Sequence, residues 1–188
     1  GDADKWRAAF EPMLSRNPLV LFTTMAALAT PIFQFLERPP IVVHIAGPSS
    51  TSKSAALLVA RSIFSASTKL TDCRGTAIGI LEAMAATPAE APIYDETHLA
   101  DDPLTVKTIA YAGANQSARL ISARAGPSTV PTEITGNPIL AGERPIAACL
   151  PLKERADLGL YARLVEFGPT DEFGMLRQLP KGMTPARY

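Results

Sequence analysis

A chain of 188 residues can bury one sizeable core, and its 18 Lys and Arg balance its 18 Asp and Glu. Zero net charge excludes the global basic footprint of a nucleic-acid or membrane-surface binder, leaving only a local basic patch open. Cys73 and Cys149 lie far apart and lack metal-ligand spacing, which favours reduced thiols in a cytoplasmic protein over a disulfide. The opening GDADKW has no basic segment leading into an apolar run, so no secretion signal is expected.

Asp4 to Arg16 places Trp6, Phe10, Met13 and Leu14 at helical spacing and predicts a first amphipathic helix. Asn17 and Pro18 then form an N-cap and N1 pair for a second helix. That helix, Pro18 to Leu36, runs nineteen residues without a charge, enough to span a membrane. Thr23, Thr24, Thr30, Pro31 and Gln34 interrupt it, and a strand follows almost at once. The expectation is therefore a buried helix packed on a sheet, with no membrane partner.

Ile41 to Ala56 reads IVVHIAGPSSTSKSAA: a β-branched strand, a polar loop and a run of helix formers. This order suits a phosphate-binding loop. Backbone N–H groups across Gly47, Pro48, Ser49, Ser50, Thr51, Ser52, Lys53, Ser54 and Ala55 (the proline excepted) can point at phosphate oxygens. Lys53 sets a cation beside the β and γ phosphates, and the Ser54 hydroxyl can ligate Mg²⁺. The pattern G-x-x-x-x-G-K-[ST] wants glycine where this chain has Ser52. If that position needs a positive φ, serine there costs about 1 kcal/mol.

Thr68 to Cys73 is a candidate second strand, and Thr76 can cap a helix running to about Ala86 with Ile78, Leu81 and Met84 or Ala85 inward. The stretch APIYDETHLA then ends a short apolar strand in adjacent acids. At a strand's C-terminal edge beside a phosphate loop, Asp95 can hold Mg²⁺ while Glu96 orients and deprotonates the attacking water. A helix is expected over 101–112. It passes into GANQSARLISARAG, where Arg119 and Arg124 near glycine turns suit either a grip on a phosphate backbone or an ordinary hairpin. ITGNPILAGE supplies another strand, from which Asn137 or Glu143 could reach the attacking water or the γ phosphate. After a helix-like stretch with Lys153, Glu154 and Arg155, ARLVEF alternates as a strand does, with Arg163 at its mouth.

Together these stretches resemble the P-loop ATPases of the AAA+ class, and within them the superfamily 3-like helicase domains of phages and other mobile elements, often fused to primases. The resemblance runs from about Pro18 to Phe167 and is carried by GPSSTSKS, IYDE, YAGANQSAR, NPILAGE and ARLVEF. Minichromosome-maintenance helicases likewise tolerate a small non-glycine residue before the loop lysine. The resemblance implies an α/β three-layer sandwich around a mostly parallel five-stranded sheet in one ATPase domain. Helices would occupy 1–37, the ATPase core 38–168 and a tail or truncated lid 169–188, with no clear C-terminal lid. It also implies ATP and Mg²⁺ as ligands, with Lys53 and Ser54 on phosphate and metal, Asp95 on the metal and Glu96 as catalytic base. Asn137 is the implied polar sensor, with Glu143 as the alternative. Arg163 is the implied finger reaching a neighbour's nucleotide, with Arg155 as runner-up. Implied partners are further copies of the chain in a ring, a hexamer being one candidate size, together with DNA and a fused or separate primase.

Two other function classes remain open on the residues alone. A small-molecule kinase or other P-loop transferase would use Lys53 alike but act as a monomer. A nucleotide-binding module without turnover would read Ser52 as decay, against which the adjacent acids argue.

Overall fold

The computed structural model describes residues 2–115, 133–169 and 174–176. Arg119 and Arg124, and the breaker-rich segment 177–188, lie outside them. Helix α1 (Ala3–Leu14) starts where the Asp2 carboxylate accepts the N–H groups of Asp4 and Lys5. It buries Met13 and Leu14. Helix α2 (Pro18–Phe35) follows with Pro18 at its first turn. Its buried side, with Val20, Thr23, Ala26, Ala27 and Thr30, packs on α3 (Lys53–Arg61) and on the sheet. Thr23 and Thr24 donate their hydroxyls back to the carbonyls of Leu19 and Val20, which lets two polar side chains be buried without loss. Only one side of α2 is covered, because Leu21, Phe22, Met25, Ile32 and Phe35 are exposed. By length and composition alone this helix could cross a membrane.

The sheet comprises β1 (Val42–Ala46), β2 (Thr71–Asp72), β3 (Ile93–Asp95), β4 (Ile139–Gly142) and β5 (Leu164–Phe167). Its order is β2-β3-β4-β1-β5 and every pairing is parallel. All strand C-termini therefore meet along one edge. Helices α4 (Ala77–Ala85), α5 (Leu104–Ala114), α6 (Ile146–Cys149) and α7 (Leu158–Tyr161) complete the described elements. The Thr76 hydroxyl accepts the Gly79 N–H at the start of α4, as its sequence predicts. The inward residues of α4 are Ile80, Leu81 and Met84, whereas Ile78 is exposed. The helix is thus rotated from the spacing assumed in the sequence.

Alternation along β1 divides the core in two. Val43 and Ile45 join Leu57, Ala60, Ile93 and Ile139 under α1, α2 and α3. Val42 points the other way, with Tyr94 and Leu140, toward Leu81, Ile109, Ile146 and Leu160 of α4 to α7. The result is the three-layer α/β sandwich of a P-loop-like fold. Each fully buried Ile or Leu stabilises it by about 1.5–3 kcal/mol relative to exposure. Both cysteines are free thiols, and burial pushes the Cys73 thiol up to about 12, which keeps it protonated and inert.

Candidate nucleotide-binding site

The loop between β1 and α3 sits at the C-terminal edge of the sheet, where a central strand feeds a helix N-terminus. Ser52 has φ 63° and ψ 24°, so the backbone here takes the left-handed conformation for which glycine is suited. Ser50 has the same φ of 63°. Two serines thus hold a shape that strains L-residues, and the surroundings compensate. The Thr51 hydroxyl donates to the Pro48 carbonyl at 2.8 Å, and the Thr51 carbonyl accepts the Met175 N–H at 2.8 Å. Met175 is 1% exposed and belongs to the core, so the 174–176 segment pins the loop's outer turn. Gly174 before it has φ 66°, and a Cβ there would lie 2.6 Å from the Thr51 carbonyl oxygen.

Lys53, 8% exposed, donates its ammonium to the carbonyls of Gly47 at 2.8 Å and Pro48 at 2.7 Å. This fixes the cation inside the loop. Ser54 Oγ donates to Asp95 Oδ2 at 2.6 Å, joining the first turn of α3 to the end of β3. Asp95 is 8% exposed, and its other carboxylate oxygen accepts the Glu96 N–H at 2.9 Å. Glu96 then turns left-handed, with φ 55° and ψ 52°, and His98 Nδ1 lies 3.2 Å from its Oε2. Positive φ at a glutamate is uncommon and costs on the order of 1 kcal/mol, a strain characteristic of functional turns.

A cleft of about 260 Å³ is lined by Ser49 to Ala55, Glu96 and Glu143. The N–H groups of the first turn of α3 have no acceptor within their own helix and supply donors beside it. Glu143 enters because β4 pairs with β1, Gly142 facing Ala46. Its carboxylate takes the Ser49 hydroxyl in a short hydrogen bond. That bond, helped by the nearby Lys53 and Arg144 cations, holds the carboxyl below its ordinary value against the opposing effect of burial.

Asn137 is a correction to the sequence reading. It precedes β4, on a parallel strand whose far end reaches the cleft, roughly 16 Å away for five residues of extended chain. It is fully buried, its Nδ2 donates to the Ala26 carbonyl at 2.9 Å, and its Oδ1 accepts the Ile41 N–H at 3.0 Å. It ties α2 to the start of β1 and cannot sense a nucleotide. Of the two candidates, Glu143 is the one brought to the cleft. Arg163, before β5, also stands at the far edge, so it cannot reach this chain's own cleft. Its Nη1 donates to the Gly159 carbonyl at 2.8 Å, and its guanidinium lies 4.9 Å from the centre of the Tyr111 ring. Arg155 is engaged by the carbonyls of Leu150 and Ala148.

The oxygen donors Ser54 and Asp95 fit Mg²⁺, which takes one or two protein ligands alongside substrate phosphates and water. No cluster of three His, Cys, Asp or Glu able to hold a metal occurs among the described residues, so an all-protein cage is not what this edge offers. The Ser49–Glu143 bond and the Met175 contact with Thr51 escaped the sequence reading, because each joins segments distant in the chain and no local pattern announces it. His98, beside Glu96, was not singled out either.

Comparison with known proteins adds two findings. The family model described as a domain of unknown function, DUF927, matches residues 1–130. The solved structure of a protein titled "SCCmec type IV Cch - active helicase" superposes with a TM-score of 0.65 at 18% identity, over 89% of this chain and 31% of that one. The chain thus shares that structure's fold while spanning less than a third of its length. No curated protein sequence matches the chain.

Proposed function

The chain belongs to the DUF927 family, and we propose that it is the ATP-hydrolysing motor domain of a ring-forming helicase that acts on DNA, of the superfamily 3-like AAA+ kind. The observation that carries this reading is the 2.6 Å bond from Ser54 to Asp95, with Lys53 on one side and Glu96 on the other. It joins residues suited to hold phosphate to one suited to activate water, beside a cleft that Ser54 and Glu96 line, and so supports a hydrolytic reading. Simple nucleotide storage needs only the phosphate-holding residues, so Glu96 favours turnover over a binding module.

In this reading the loop N–H groups and Lys53 hold the triphosphate, and Ser54 and Asp95 would hold Mg²⁺, which would offset the charge of the phosphate oxygens. Glu96 takes a proton from water as its oxygen attacks the γ phosphorus and the bond to the β-γ bridging oxygen breaks, releasing ADP and phosphate. Glu143 orients that water or the γ phosphate from the facing side. Arg163, turned away from its own cleft, serves the nucleotide of a neighbouring copy. The fold shared with a helicase structure supports DNA as the partner, and a cytoplasmic, primase-associated setting belongs to the same proposal.

The test is ATPase rate against protein concentration, with and without single-stranded DNA. A rate per chain that climbs with concentration and with DNA is expected. A rate indifferent to both would replace the motor with a monomeric transferase. Tight nucleotide binding with no turnover under any condition would leave a binding module.

A further inference from the structure

A polar side chain stands in the middle of β1 where the pattern calls for Val or Ile. His44 is fully buried, and both ring nitrogens are engaged. Nδ1 lies 2.8 Å from Glu166 Oε2 on β5, and Nε2 lies 3.2 Å from Thr97 Oγ1. With Nδ1 carrying the hydrogen toward the carboxylate, Nε2 accepts from the threonine hydroxyl. A buried imidazole is costly unless so paired, and an aliphatic residue would fill the position without that requirement. Thr97 is the residue directly after Glu96.

We propose that His44 and Glu166 are positioning residues for the Glu96 carboxylate, acting through Thr97. The inference rests on the reading of Glu96 as the base. Glu96 stands in a left-handed turn, so its side-chain direction is set by the peptide planes before and after it. Asp95 Oδ1 fixes the plane before, through the Glu96 N–H. His44 fixes the segment after, through Thr97. Thr97, 5% exposed, is also pressed onto β4, since a Cβ at Gly142 would lie 2.0 Å from its Oγ1.

Glu166 extends the device to the other side of the cleft. The same Oε2 that meets His44 accepts the Ile146 N–H at 2.8 Å, which anchors the turn leaving Glu143. One carboxylate oxygen on β5 therefore ties both the Glu96 segment and the Glu143 turn to a common point, and sets their separation across the cleft. Burial acts to raise the Glu166 carboxyl, but the bonds from His44 and Ile146 outweigh it and hold it below its ordinary value, so it remains a charged acceptor.

The test uses the full chain with Thr97→Val, which keeps shape and removes the hydroxyl, and Thr97→Ser, which keeps the hydroxyl. Because a misplaced catalytic group can cost about 10²-fold, Thr97→Val is expected to lower kcat by about 10- to 100-fold. KM for ATP and nucleotide affinity by calorimetry should stay within about twofold, and Thr97→Ser should recover most of the rate. The double variant His44→Leu, Thr97→Val leaves no orphaned nitrogen, and the Glu166 carboxylate keeps the Ile146 N–H and its partial exposure to solvent, so this variant guards against simple unfolding. It is expected to fold and to be as slow as Thr97→Val. A normal kcat in Thr97→Val or in the folded double variant overturns the inference, as does an equal loss in Thr97→Ser or a loss confined to KM. Glu96→Gln measured alongside separates the two levels. If it is inactive while Thr97→Val is normal, only the positioning role fails; if it is fully active, the base assignment fails with it.

Discussion

The two edges of the sheet carry polar residues of similar type and use them in opposite ways. At the strand N-termini, Asn137 has its amide engaged by α2 and β1, and Asp157 accepts from Tyr111 and from Lys107, which also pairs with Glu154. The polar groups there join elements to one another, and one residue on the approach to β1, Glu37, has a positive φ of 51°. At the strand C-termini, Ser50, Ser52 and Glu96 all sit at positive φ, and Lys53, Glu96 and Glu143 surround a cleft. Three of the four described non-glycine residues at positive φ lie at this edge, which is where a parallel α/β sheet binds ligands. Polarity alone therefore does not mark a site; the edge on which a residue emerges does.

The largest effect that could break this comparison is at Glu96. Glu96→Gln should keep ATP binding by calorimetry and reduce turnover by about 10³-fold or more, the scale expected for removing a base that acts only in the reaction. Normal hydrolysis would move the chemistry elsewhere. Next is Arg163→Ala, for which a trans-acting arginine predicts a loss of about 10³-fold. Mixing it with Glu96→Gln should restore part of the activity, because mixed interfaces join an intact arginine to an intact glutamate. No recovery on mixing, measured as ATPase at fixed total protein, would return Arg163 to its purely local contacts with Tyr111 and Gly159.

Asn137→Ala should show the N-terminal edge for what it is. Orphaning the Ile41 N–H and removing the amide's bond to the Ala26 carbonyl is expected to destabilise the fold by about 1–3 kcal/mol in urea unfolding, while kcat per folded molecule stays unchanged. A changed kcat at full stability would put the residue back in the catalytic group. Ser52→Gly goes the other way and should stabilise by about 1 kcal/mol, since glycine accepts φ 63° without strain. A loss of stability would mean that the serine side chain contributes something that outweighs the strain.

The smallest effect concerns Asp157, whose carboxyl is held down to about 2 from 3.8 by the Lys107 ammonium first, then by the Tyr111 hydroxyl. A depressed carboxylate contributes stability that is present above about pH 4 and fades as pH falls toward 2. Thermal melts between those limits should fall less steeply for Asp157→Asn than for the parent chain. Parallel slopes would show that this exposed cluster contributes nothing to folding.

Much of the site was legible one segment at a time. A β-branched strand, a small-residue loop and a helix around GPSSTSKS are set by local conformational preference, whereas the positive φ at Ser52, which the motif raised only as a condition, is given by the structure. The adjacent acids Asp95 and Glu96 were equally readable, because a short apolar strand ending in acids places them at its C-terminal edge. The membrane-length apolar helix was read as core, and one side of α2 is indeed packed, but the exposed Leu21, Phe22, Met25 and Phe35 show that apolar composition does not report how many sides are covered.

By itself the sequence determined the order of elements, including the strand, small-residue loop and helix around GPSSTSKS, since these follow from short-range backbone chemistry. Only the tertiary structure decided which end of β4 faces the loop, and so that Glu143 joins the cleft while Asn137 is consumed in holding α2 to β1. It alone brought Met175 onto Thr51, and joined His44 to a glutamate 122 residues away. The physical reason is that parallel strands are placed by packing and register between distant segments, and a shift along one strand changes every partner at its ends without altering any local preference.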